Sequence, residues 1–136
     1  MVKSAAELVV YVVDDDASVR SGLARLMRSA GHRAVTFDCG EAFLAQAAQG
    51  AVGCVVLDIS MPGLNGLQVQ ERLTQAAVGI PVIALSARDD DETRRLARAL
   101  GTRFFLRKPV DDQALLDAID WVTGSGGAAP SVAPPR

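Results

Sequence analysis

Apolar positions along this chain alternate between two periods. Residues 9–13 (VVYVV) form a β-branched run with no polar interruption, the pattern of a strand buried on both faces. Between residues 17 and 30, Val19, Leu23, Leu26, Met27 and Ala30 recur at i, i+4, i+7 and i+8, which predicts one face of a helix. Asp16 is placed to cap its start and Gly31 to end it. A short strand over 34–37 and a short helix over 41–49 follow, the latter with Ala42, Phe43, Leu44 and Ala47 as contacts. Residues 54–57 (CVVL) are a second doubly apolar strand, running straight into Asp58. The segment SMPGLNG breaks the pattern with Pro and Gly and predicts a loop. A helix over 67–77 turns Leu67, Val69 and Leu73 inward, and 81–85 (PVIAL) is a strand that ends at Ser86. A helix over 91–100 is closed by Gly101, a strand over 104–106 leads to Arg107, Lys108 and Pro109, and 112–122 is the last helix. Its inward face is Leu115, Leu116, Ile119 and Val122. Five strands alternating with five helices predict an α/β fold, doubly wound, with a five-stranded parallel sheet and helices on both faces.

Composition narrows the function classes. A length of 136 residues suits one domain, and 49% apolar content fills one core. The domain is expected over residues 8–123, with an N-terminal extension over 1–7. Residues 124–136 (GSGGAAPSVAPPR), rich in Gly, Pro, Ser and Ala, are expected to be a flexible tail or linker. A net charge of −2 argues against a nucleic-acid surface within this chain. No apolar run approaches the roughly 20 residues of a membrane span. The first apolar run ends in three aspartates rather than a cleavage site, so a cytoplasmic protein is expected. Cys39 and Cys54 lie 15 positions apart, form no CxxC unit and read as packing side chains. Tyr11 and Trp121 also read as packing.

The candidate chemistry lies where strands end. Asp14, Asp15 and Asp16 follow the first strand, Asp58 the third, Ser86 the fourth and Lys108 the fifth. Asp14, Asp58, Ser86 and Lys108 are separated by 44, 28 and 22 residues, yet a parallel sheet brings all these ends to one edge, where ligands bind. Two carboxylates about 4 Å apart repel by about 1 kcal/mol in water and about 4 at an effective dielectric of about 20. A hard divalent cation, Mg2+ or Mn2+, relieves this and bridges phosphate oxygens. One carboxylate then serves as nucleophile and forms an acyl phosphate. Lys108 pairs with a phosphoryl oxygen as a point charge, and the Ser86 hydroxyl donates to another. Taken singly, the Asp run is a helix cap, Asp58 and Ser86 are turn residues and Lys108 is a surface lysine; only the joint placement points to a site.

The ordered set VVDDD, VLDISMPGLNG, ALSA and FFLRKP resembles the receiver domain of two-component response regulators, over roughly residues 8–123. The resemblance implies a flavodoxin-like sheet of order 2-1-3-4-5. It implies that Asp58 is the phosphorylated aspartate, that Asp15 is the principal metal-binding acid with Asp14 beside it, and that the Ser60 backbone carbonyl completes the metal ligands. Ser86 is then the hydroxyl that moves toward the phosphoryl group, Lys108 the paired lysine, Pro109 a cis proline and Phe105 the aromatic switch. Switching would alter the face formed by the fourth helix, fifth strand and fifth helix. Phe104 should pack on the other side of the sheet. His32, the single histidine, is expected to be exposed, so the donor should be a histidine kinase or phosphotransfer protein. No enzymatic turnover beyond phosphotransfer and autodephosphorylation is expected. Arg94, Arg95, Arg98 and Arg107 near Asp111, Asp112, Asp117 and Asp120 suggest pairs in a homodimer, although a solvated charged face is the plainer reading. Ser60, Arg88 and Val110 stand where the family varies. The receiver also resembles those of regulators with a C-terminal helix-turn-helix domain, and no such helix pair occurs in this sequence.

Two other readings compete. A haloacid-dehalogenase-type phosphatase would use Asp14-x-Asp16 with Ser86 and Lys108, but the chain lacks room for its cap and Asp58 would go unexplained. A pseudo-receiver would be an interaction module that accepts no phosphate, which the intact acid set argues against.

Overall fold

The computed structural model describes residues 9–50, 53–87 and 91–124. Strands and helices alternate as β1 (Val9–Val13), α1 (Ala17–Ser29), β2 (Arg33–Phe37), α2 (Gly40–Ala48), β3 (Gly53–Asp58), α3 (Gly66–Gln75), β4 (Val82–Ser86), α4 (Asp91–Ala99), β5 (Phe104–Arg107) and α5 (Asp112–Thr123). All strand pairs are parallel, in the order β2-β1-β3-β4-β5. The fold class and sheet order match the expectation. The extension over 1–7, Arg88 and the tail beyond Gly124 lie outside the described residues.

Element bounds differ from the sequence pattern by a residue or two, for local reasons. Pairing of Asp58 with Leu85 and of Ser86 with Arg107 extends β3, β4 and β5 by one residue each. Asp58 and Ser86 are therefore the last residues of their strands rather than the residues after them. Gly66, expected in the loop, belongs to α3, because Asn65 and Gln68 form a reciprocal capping box with contacts of 3.0 and 2.8 Å. The same helix stops at Gln75, two residues early, where Ala77 adopts a left-handed φ of 59°.

Side chains on successive strand residues point to opposite faces. Val10 and Val12 meet Leu23 and Met27 of α1 and Leu115 and Ile119 of α5 on one face. Val9, Tyr11 and Val13 meet Phe43 of α2 and Val69 and Leu73 of α3 on the other. Ala97 of α4 closes a smaller cluster with Ile59, Ala84 and Phe105. Phe104 joins the α1–α5 face, opposite to Phe105, as alternation requires. Tyr11 is buried and Trp121 half-buried, both packed.

His32 departs from its expected exposure. Its side chain is 20% exposed, with Nε2 3.9 Å from Asp120 Oδ1, because the α1–β2 turn lays it back on α5. Both cysteines are free; burial pushes the Cys54 thiol up to about 12. Among the described residues no helix is long and apolar enough to cross a membrane.

Candidate functional site

The turn between β1 and α1 gives its three aspartates three different surroundings. The Asp14 N–H donates to the Phe37 carbonyl at 3.1 Å, so Asp14 continues the β1–β2 ladder and is fixed in place, 1% exposed. The Arg20 guanidinium, one and a half helical turns on, donates to the Asp14 carbonyl at 2.8 Å. Asp15 is exposed at the rim. Asp16 is the helix cap, its Oδ1 accepting from the Ser18 and Val19 amides at 2.8 and 3.1 Å.

Asp58 ends β3 and is 3% exposed. Its Oδ1 accepts from the Ser60 amide at 3.0 Å, which fixes the carboxylate's direction. The helix that follows starts close against this strand end. A Cβ at Gly66 would lie 2.7 Å from both the Asp58 carbonyl oxygen and the Ile59 Cα, so only glycine fits there. Ser86 ends β4, fully buried, and its carbonyl accepts from the Lys108 amide at 2.8 Å. That bond carries the chain beyond β5 back over the sheet edge. The Lys108–Pro109 peptide is cis.

These placements converge. Lys108 Nζ lies 2.9 Å from Asp14 Oδ2 and 3.4 Å from Asp58 Oδ2. Carboxylate oxygens of Asp14, Asp15 and Asp58 lie within 4.8 Å of one another. Burial raises the Asp58 carboxyl above the usual carboxylate range; the neighbouring Asp14 charge adds to this, while the Ser60 amide and Lys108 pull it back. For Lys108, burial opposes the charged form, but the Asp14 and Asp58 carboxylates outweigh it and raise the ammonium. One ammonium thus faces three carboxylates. Oxygen-only donors with uncompensated negative charge fit a hard divalent cation. A cation there neutralises the repulsion that an incoming phosphoryl group would meet, and the Asp58 oxygen is a nucleophile of the required kind.

Phe105 sits at the end of the site away from Asp14. Its ring is buried among Ile59, Ala84 and Ala97, two small residues that leave room for it, with the Arg94 guanidinium 4.8 Å from the ring centroid. The structure therefore brings Asp14, Asp15, Asp58, Lys108 and the Ser60 amide together, with Ser86 on the adjacent strand end. Asp16 serves the helix instead.

Sequence reasoning missed Arg20, Gly66 and Gln70. The Asn65-x-x-Gln68 signature marked the start of α3 and thus the place of Gly66. Gln70 is 2% exposed, and its Oε1 accepts from Thr102 Oγ1 at 2.8 Å. No local signal announces a partner 32 residues away.

A family description, the response regulator receiver domain, matches residues 10–120. The response regulator protein TmoT of Ectopseudomonas mendocina is 40% identical over 113 residues, 83% of this chain and 51% of that protein. The transcriptional regulatory protein FixJ of Bradyrhizobium diazoefficiens is 36% identical over 111 residues, 82% of this chain and 54% of its own. The chain spans about half the length of the curated relatives it matches. Among solved structures, that of response regulator StyR superposes with a TM-score of 0.80 at 44% identity, covering 88% of this chain and 60% of that one. The match spans the sheet and every strand end that builds the acidic site: the chain belongs to the receiver domain family of response regulators.

Proposed function

We propose that Asp58 accepts a phosphoryl group from the phosphohistidine of a histidine kinase or phosphotransfer protein, in a Mg2+-dependent reaction. The observation that carries this is the convergence of Asp14, Asp15, Asp58 and Lys108 at one strand edge. Asp14, Asp15, Asp58 and the Ser60 backbone carbonyl would hold the ion, which supplies charge neutralisation when bound. Asp58 is the nucleophile, its Oδ1 oriented by the Ser60 amide and its Oδ2 free to attack once Lys108 turns to the phosphoryl oxygens. Asp14 holds Lys108 within reach of both positions. Turnover of other substrates is not part of this role.

Ser86 donates to the phosphoryl group, and Phe105 reports its presence. The Phe105 ring is inward in this structure, so phosphorylation would hold that placement rather than create it, in proportion to the contact Ser86 gains. The face of α4, β5 and α5 is then the readout surface. Its Arg94, Arg95, Arg98 and Arg107 with Asp111, Asp112, Asp117 and Asp120 suit a partner's charges, including those of a second copy. We further propose that residues 8–123 act as the signalling unit after an extension over 1–7, that 124–136 are a tail or linker, and that it works in the cytoplasm. The family match and the central place of Asp58 speak against the phosphatase reading.

Beryllofluoride mimics the phosphoryl group and separates this role from a pseudo-receiver. With Mg2+ present, it should bind one site and change the emission of Trp121, the single tryptophan, half-buried on α5. Absence of binding at millimolar Mg2+ would count against phosphoryl acceptance.

A further inference from the structure

Of the four arginines on α4 and β5 grouped with the readout face, Arg95, Arg98 and Arg107 are exposed, whereas Arg94 is half-buried. Helical spacing explains the difference. Among the described residues of α4, Ala97 alone is buried, and Arg94 lies three residues before it, on the face that looks onto the sheet. The Arg94 guanidinium lies over the Phe105 ring, 4.8 Å from its centroid, with Nη1 shut off from solvent. A guanidinium stays protonated in proteins, so this contact is charged at every working pH.

The ring depends on that cover. Phe105 is 5% exposed, in a pocket of Ile59, Ala84 and Ala97 with Leu67 at its edge. Two of the three buried partners carry only a methyl group, and one of them, Ala84, is the register partner of Phe105 on β4. They leave room for the ring but offer it little surface. Arg94 supplies the missing contact from α4. The electron-rich face of an aromatic ring attracts a cation within about 6 Å, most strongly where water is excluded. The pocket also adjoins the acidic site, since Ile59 follows Asp58 and Ala84 lies two residues before Ser86.

We propose that Arg94 is a positioning residue, whose guanidinium holds the Phe105 ring inward before any phosphoryl group is present. An outward ring quits the pocket and the guanidinium with it, so the contact weights the inward arrangement alone. The inward ring is then the resting state of this chain, and α4 is tied to the sheet through the same contact. A phosphoryl group at Asp58 would add to an equilibrium that Arg94 has already tilted. That last link rests on the reading of Asp58 given above; the hold of Arg94 on the ring does not.

Fluorine NMR on the whole 136-residue chain tests it, with mono-, di- or trifluorinated phenylalanine placed at position 105. Added fluorine drains electron density from the ring face at nearly constant size, and it leaves Arg94 and α4 untouched. Saturation transfer detects the minor, outward ring. Without Mg2+ or a phosphodonor the monofluorinated ring should be mainly inward, and the outward fraction should rise with each added fluorine. Arg94→Gln, checked for folding by circular dichroism, should raise the outward-to-inward ratio about fivefold. Arg94→Lys, which keeps a cation, should raise it less, and in Arg94→Gln the fluorine series should be flat. A ring that is mainly outward in the unaltered chain would overturn the proposal. So would an outward fraction indifferent to fluorination, including one that rises equally in Arg94→Gln and Arg94→Lys, since Arg94 would then act by bulk alone. Mg2+ with beryllofluoride should return the ring inward in Arg94→Gln. A ring that stays outward there would count against the reading of Asp58 and leave the hold of Arg94 standing.

Discussion

Asp58 is a costly residue for the folded protein without a metal. Burial and Asp14 raise its carboxyl, so the stability it contributes is full below the unfolded carboxylate range and is lost as pH rises through the folded value. Above the unfolded carboxylate range this linkage opposes folding. Asp58→Asn should raise the melting temperature in chelator at pH 7 and remove the stabilisation that added Mg2+ gives; a lower melting temperature would contradict this. Cys54 offers a second test of the same linkage, away from the site. Its folded value of about 12 lies above the ordinary 9.0, so stability is complete below pH 9 and falls between 9 and 12. The slope is about 1.4 kcal/mol per pH unit at most. Denaturant titrations across that range should show this loss in the native protein and less of it in Cys54→Ala. At this scale the sequence spoke clearly for Asp14, Asp58 and Lys108, because each follows or ends an apolar run. It was silent on Gln70 and misleading on His32, since a polar residue's burial depends on partners far along the chain, Thr102 and Asp120.

Elements translate those residues into a site. The third helix begins one backbone contact from Asp58, and Gly66 makes this possible. Gly66→Ala would press a methyl group against backbone that has no room to yield, costing about 1–3 kcal/mol in urea denaturation. It should also slow phosphorylation, since Asp58 must shift; unchanged stability would show that the helix start has slack. Strand lengths were legible in their interiors and not at their ends. The apolar pattern stops where the polar chemistry begins, whereas the parallel ladder continues through Asp58 and Ser86.

The whole molecule is a sheet whose strand order brings distant residues to one edge. Strict alternation of strands and helices made the doubly wound architecture readable, and the shared carboxyl edge followed from it. What Asp58 does within that frame is open to one direct measurement. The chain is incubated with a small acyl-phosphate donor and Mg2+, and its mass and modified peptide are determined. A single phosphoryl addition at Asp58, released by hydroxylamine and absent from Asp58→Asn, is the expected result. Label that persists in Asp58→Asn, or steady donor hydrolysis that requires Asp14 and leaves Asp58 unmodified, would contradict it.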